Sequence, residues 1–197
     1  MVYIGYVKLS QALDELKNYQ FDIVWRPFQL NPEMPSEGIE RKLYLSTKFG
    51  SQKNAQSIYN KIKHEGESNN IYFQFDNIKK TPNTFLSHKL LAYAHPKQKQ
   101  SEVLESLFYQ YFIEGNDIGD LKVLLEIAKA TNIFDNNIEK YIISTQHNQN
   151  LLNEEKQARM MGINSVPCFI FNKEYVLSGA QPKESFIKMA KSLNNNV

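Results

Sequence analysis

The sequence predicts an α/β fold, with strand and helix elements at the two ends of the chain and a large helical insertion between them. Three observations carry this. Residues 162–182, GINSVPCFIFNKEYVLSGAQP, read as a β-hairpin entering a helix. Near the other end, Leu9, Leu13 and Leu16 repeat at helical spacing ahead of a β-branched and aromatic run from Phe21 to Phe28. Between the ends, over about residues 37–149, apolar residues recur at helical spacing in one segment after another.

The first helix is expected over about residues 4–19. The strand Phe21 to Phe28 ends at Pro27, since a proline cannot donate to a ladder. Asn31 to Gly38 holds two prolines and a glycine and reads as a loop. In the insertion, helices are expected over Glu37–Phe49, closed by Gly50, and over Ser51–His64, ending near Gly66. Ile71–Phe75 reads as extended. Further helices follow over Asn83–Ala94, Ser101–Glu114, Asp120–Ala130, Ile138–His147 and Leu151–Met161. In the hairpin, Cys168–Phe171 and Tyr175–Leu177 are the strands and Asn172-Lys173 the turn. Alternation puts Cys168 and Ile170 on one face, Phe169 and Phe171 on the other. Pro182 opens the last helix, with Phe186, Ile187, Met189, Ala190 and Leu193 as its apolar residues.

Composition excludes several classes. Lys+Arg 23 against Asp+Glu 21 leaves a net charge of +2, which gives no electrostatic case for nucleic acid or an anionic membrane. No apolar run approaches the ~18 residues of a membrane span. The start, MVYIGYVKLS, lacks the basic-then-apolar layout of a signal peptide. The one cysteine, Cys168, excludes an intramolecular disulfide. Together these suit a cytoplasmic protein. His64, His88, His95 and His147 are scattered, a spacing that suggests no metal site. His88 reads either as an acid–base or ligand group or as a histidine packed under the insertion. Cys168 reads either as a nucleophile or as a small hydrophobe in a strand.

Four stretches resemble one family, and they stand in that family's order. They are Trp25 to Gly38, with Trp25-Arg26-Pro27-Phe28-Gln29-Leu30-Asn31-Pro32 and Met34-Pro35; Thr81-Pro82-Asn83-Thr84 with His88 and Leu90; Phe108 to Ile118; and Gly162-Ile163, Val166-Pro167, Ser178 to Pro182. They resemble the DsbA-like family in its FrnE-type branch, which is similar to 2-hydroxychromene-2-carboxylate isomerases and kappa-class glutathione transferases. The resemblance implies a thioredoxin-like fold with a large helical insertion domain. Residues 1–36 and 150–197 would form the thioredoxin-like part, and 37–149 an insertion that lids its cleft. It further implies a cis Val166–Pro167 bond facing the start of the first helix. Val166 and Pro167 would hold a substrate's backbone, with Asn31, Phe28, Gly179 and Gln181 nearby.

The resemblance also locates a departure. The family begins with a strand and then Cys-Pro-x-Cys-Tyr-Ile-Gly at a helix start, where partial positive charge depresses a thiol's pKa. Tyr3-Ile4-Gly5 aligns with the end of that motif, so Val2 stands where the second cysteine belongs. The first cysteine and first strand would lie upstream of Met1, and a start misassigned inside the motif is the expected reason. A dithiol mechanism is then closed to this chain. The implied function is that of a thiol–disulfide oxidoreductase family member acting on a thiol or disulfide peptide or a small thiol, monothiol or inactive in this form. Two alternatives stand beside it: a glutathione-dependent isomerase or transferase, and a non-catalytic peptide-binding module. Ala180 stands where the glutathione-using relatives carry an acid. Without the first strand, Phe21–Phe28 and the hairpin should stand about two strand spacings apart, roughly 9.6 Å. A strand from another molecule could fill that slot and give a homodimer.

Overall fold

The computed structural model describes residues 1–194, the side chain of Asn194 excepted. Helix α1 spans Val2–Glu15 and buries Tyr3, Ile4, Gly5, Leu9 and Ala12. It stops earlier than its leucine spacing suggests, because the Leu16 and Tyr19 N–H groups turn back onto Leu13 and Leu16.

The run Phe21–Phe28 forms no strand. This corrects the sequence expectation, and the reason is the lack of a backbone partner. The Trp25 N–H donates instead to Gln100 Oε1 at 3.0 Å. Gln100 Nε2 donates to the Trp25 carbonyl and to the Leu91 carbonyl, both at 3.1 Å. One buried side-chain amide thus stands in for a strand ladder. Trp25 Nε1 adds a bond to Ser101 Oγ at 2.9 Å.

Two short strands that the sequence did not announce come next. β1 (Ile39–Glu40) pairs antiparallel with β2 (Lys80–Thr81). The helix expected from Glu37 therefore begins only at Arg41, as α2 (Arg41–Phe49). Gly38 permits this junction: its φ is +74°, and a Cβ there would sit 2.6 Å from the Thr81 carbonyl oxygen. α3 (Gln52–Glu67) is capped by Ser51, which accepts from the Asn54 N–H at 3.1 Å. α4 is Phe85–Ala94, α5 Gln100–Tyr109, α6 Leu121–Ala130, and α7 Ile138–Ile143, four residues shorter than expected. A π turn, Gln110–Glu114, extends α5. α8 spans Asn148–Met160. Then come β3 (Cys168–Phe171), β4 (Tyr175–Ser178) and α9 (Lys183–Asn194).

Three apolar clusters hold these elements. The largest joins α4 to α7 through Leu90, Val103, Leu124, Ile127, Ile138 and Ile142. A second joins Tyr3 and Ile4 of α1 to Ile71 and Phe73. The third sits under the hairpin, where Phe169 meets Leu9, Ala12 and Phe186. Among the described residues the two sheets are both two-stranded, β1–β2 and β3–β4. Phe21–Phe28 and β3 do not pair.

Candidate functional site

The start of α1 meets the mouth of β3. A Cβ added at Gly5 would lie 2.7 Å from Pro167 Cγ and 3.4 Å from Phe169 Cζ. No other residue type fits there without displacement. The Val166–Pro167 peptide bond is cis, and Pro167 is buried. The Pro167 carbonyl accepts from the Gly179 N–H at 2.8 Å, which ties the hairpin's two ends together. Gly179 takes φ +81°, a conformation that suits glycine. The N–H and carbonyl of half-buried Val166 have no hydrogen-bond partner among the described residues. Beside them lies the N-terminus of α1, which has no side-chain cap.

The open edge continues along β3. Register pairs Cys168 with Ser178 and Ile170 with Val176. The Pro167–Gly179 bond fixes which residues exchange bonds with β4, so the N–H and carbonyl groups of Cys168 and Ile170 point the other way. Ile170 and Val176 expose their side chains on the outer face.

The residues singled out in the sequence divide into two groups. Val166, Pro167, Cys168, Gly179 and Gln181 gather around the hairpin mouth. Gln181 donates from its own N–H to the Gly179 carbonyl at 2.9 Å and from Nε2 to the Ser178 carbonyl at 2.6 Å. Val2 is half-buried at the first position of α1. Tyr3 is a packing residue: its ring stacks on Phe108 with centroids 5.1 Å apart and meets Phe73 edge-on at 6.1 Å. Burial first, then the Glu105 charge, raises its phenol pKa. Asn31 and Phe28 are engaged elsewhere. Asn31 Oδ1 accepts from the Tyr44 hydroxyl at 3.2 Å. The Phe28 ring lies 4.3 Å under the Arg159 guanidinium.

Cys168 is a free, half-buried thiol. Burial pushes its pKa above the ordinary range. It therefore lacks the electropositive surroundings that make a thiolate at neutral pH.

Three of the four scattered histidines converge on a second feature. His88, His95 and His147 line a cleft of about 180 Å³ with Trp25, Pro27 and Tyr141. His147 stacks on Tyr141 with ring centroids 4.5 Å apart. Burial lowers His88 to about 4, so its ring is neutral at physiological pH. Among the described residues, no group of three histidine, cysteine or acidic side chains could hold a metal ion. α8 walls this region and grips the strand-like run beside it. Glu154 pairs with Arg26 at 3.0 Å, and buried Glu155 accepts from Gln29 at 3.1 Å and from Arg159 at 2.6 Å. Sequence reasoning missed Gly5 and Gln100. The sequence signals Gly5 only as a glycine inside a helical run, and it carries no signal for Gln100.

The DSBA-like thioredoxin domain family matches residues 3–189 of this chain. The Bacillus subtilis (strain 168) protein YwbO is 24% identical over 190 residues, covering 94% of this chain and 88% of its own length. The structure of the probable DsbA oxidoreductase SCO1869 from Streptomyces coelicolor superposes with a TM-score of 0.85 at 21% identity, over 97% of this chain and 83% of that one. A 2-hydroxychromene-2-carboxylate isomerase gives a TM-score of 0.68 at 9% identity, over 98% of this chain and 90% of its own. At such identities the two structures speak for the fold alone.

Proposed function

The chain belongs to the DSBA-like thioredoxin domain family and has that family's helix-rich fold with a small sheet; on that premise we propose that it is a FrnE-type relative of the thiol–disulfide oxidoreductases. In this reading it holds an extended thiol or disulfide peptide, or a small thiol, at the Val166–Pro167 backbone. Residues 1–197 carry no dithiol chemistry of their own.

The observation that carries the reading is the unpaired Val166 N–H and carbonyl beside the uncapped start of α1. A free donor and acceptor on one residue bind a peptide backbone as a strand neighbour does. The Gly5–Pro167 contact holds the two elements in register. Thiol–disulfide exchange, by contrast, needs an attacking thiolate and a second thiol to release the mixed disulfide. Cys168 supplies one thiol, and burial disfavours its ionised form. The glutathione alternative gains nothing from Ala180, which packs beside the Tyr3 and Ile4 cluster.

The test has two arms on the 197-residue protein. Insulin reduction with a small dithiol should stay at the uncatalysed rate. Titration with an extended cysteine-containing peptide should move the Val166 amide resonance and saturate. Catalysis that survives Cys168→Ser, or a Val166 amide indifferent to peptide, overturns the reading.

A further inference from the structure

Arg41 opens α2 and is only 7% exposed. A buried charge is normally paired or hydrogen-bonded throughout, because desolvation penalises it heavily otherwise. Arg41 is not paired. No carboxylate lies within 4.0 Å of its guanidinium among the described residues. Its neighbour Glu40 is turned away to cap α2, accepting from the Leu43 N–H at 2.8 Å. Lys80, across the β1–β2 ladder, is bound to Asp117 at 2.8 Å.

The bonds that Arg41 does make use one nitrogen. Nη1 donates to Thr81 Oγ1 at 3.1 Å and to the Tyr111 hydroxyl at 3.4 Å. The Tyr59 ring covers one face of the guanidinium, with its centroid 5.0 Å from Cζ. Nε is buried, and neither it nor Nη2 has a hydrogen-bond partner among the described residues. The Nε–H and the adjacent Nη2–H form the side-on fork of a guanidinium, the edge that accepts two oxygens of a carboxylate or phosphate at once. Burial keeps the Tyr111 hydroxyl protonated, its pKa raised to about 12, so it remains a neutral neutral-pH neighbour and cannot serve as the missing anion.

We propose that the free Nε–Nη2 edge of Arg41, walled by Tyr59, Tyr111 and Thr81, is a binding site for an oxyanion, a carboxylate or phosphate group carried by a small ligand. The residues come from four elements: α2, α3, β2 and the π turn that extends α5. Their polar heads leave one charged fork unanswered. None of these residues is among those that form the hairpin mouth.

Isothermal titration of the full 197-residue protein with inorganic phosphate, and separately with acetate, at constant ionic strength tests this. One equivalent of at least one anion should bind saturably, and the Arg41 Nε–H resonance should move with the same dependence. Phosphate alone binding assigns a phosphate ligand; acetate alone assigns a carboxylate. Arg41→Lys keeps the charge and loses the fork, and should weaken binding about tenfold, the loss of one charge-assisted hydrogen bond. Equal affinity in folded Arg41→Lys overturns the proposal. Should that variant fail to fold, the wild-type resonance decides: an Nε–H unmoved at saturating concentrations of both anions overturns it.

Discussion

Twelve buried residues between Leu90 and Ile142 pack into one cluster, whereas four, Leu9, Ala12, Phe169 and Phe186, form the core under the hairpin. The backbone tells the same story. Helices α4 to α7 satisfy their own polar groups, as helices do. At the hairpin end, Val166, Cys168 and Ile170 present backbone groups unpaired among the described residues, and the Trp25 N–H and carbonyl are satisfied by the Gln100 side chain. The insertion is therefore the scaffold, and the hairpin end is built onto it. Gln100 and Ser101 from α5 and Glu154 from α8 hold the run Phe21–Phe28, and Glu155 and Arg159 hold Gln29 just after it. An end with open backbone groups is also the end that can take up a peptide.

The largest effect should come from the scaffold. Leu124 is fully buried in the main cluster, so Leu124→Ala should cost about 2–5 kcal/mol. Hydrogen exchange should then rise in both regions together. A hairpin that keeps its protection while α4 to α7 open would break the comparison.

Acid acts next, at the seam between α4 and α8. Burial, weakly opposed by the Glu155 charge, lowers His88 from 6.5 to about 4. The unfolded chain takes up this proton near pH 6.5 and the folded chain only near 4. The contribution is therefore complete above pH 6.5, is lost as pH falls from 6.5 to 4, and levels off below that. It amounts to on the order of 3 kcal/mol. Denaturant unfolding of His88→Gln should lose less stability than the wild type between pH 7 and 4; parallel curves would remove His88 from the seam.

A smaller, local effect is expected from Gln100→Ala. It strips partners from the Trp25 N–H and carbonyl and from the Leu91 carbonyl. The loss should be about 2 kcal/mol. Exchange should rise at the Trp25 amide while the main cluster stays protected. Uniform exposure across the chain would mean that the clamp and the scaffold are one unit.

Gly5→Ala should be the mildest. Helix propensity favours alanine by about 1 kcal/mol, but the new Cβ meets the Pro167 ring at 2.7 Å. Overpacking of this kind costs about 1–3 kcal/mol. A net destabilisation near 1 kcal/mol is expected by chemical denaturation, with weaker peptide binding. A stabilised variant would show that α1 does not press on Pro167.

Much of this could be read from the chain itself. The hairpin strands, their turn and the helices of the insertion follow from periods of two and 3.6 residues and from Gly and Pro punctuation. Those signals are local, so they survive in a linear reading. The contact between α1 and Pro167 was legible only through resemblance, since nothing local joins Gly5 to a residue more than a hundred and fifty positions away.

What only the tertiary structure decided is partnership. Phe21–Phe28 has a strand's composition, yet a strand exists only where a second backbone lies alongside it, and here a glutamine side chain takes that place. His88, His95 and His147 are unrelated in sequence and meet because α4 and α8 close on one cleft. Arg41 follows Gly38-Ile39-Glu40 and has the sequence of a surface charge at a helix start. Its burial depends on Tyr59, Thr81 and Tyr111 arriving from other segments. Periodicity fixes which way a side chain faces within its own element; which groups face it from elsewhere is settled by packing.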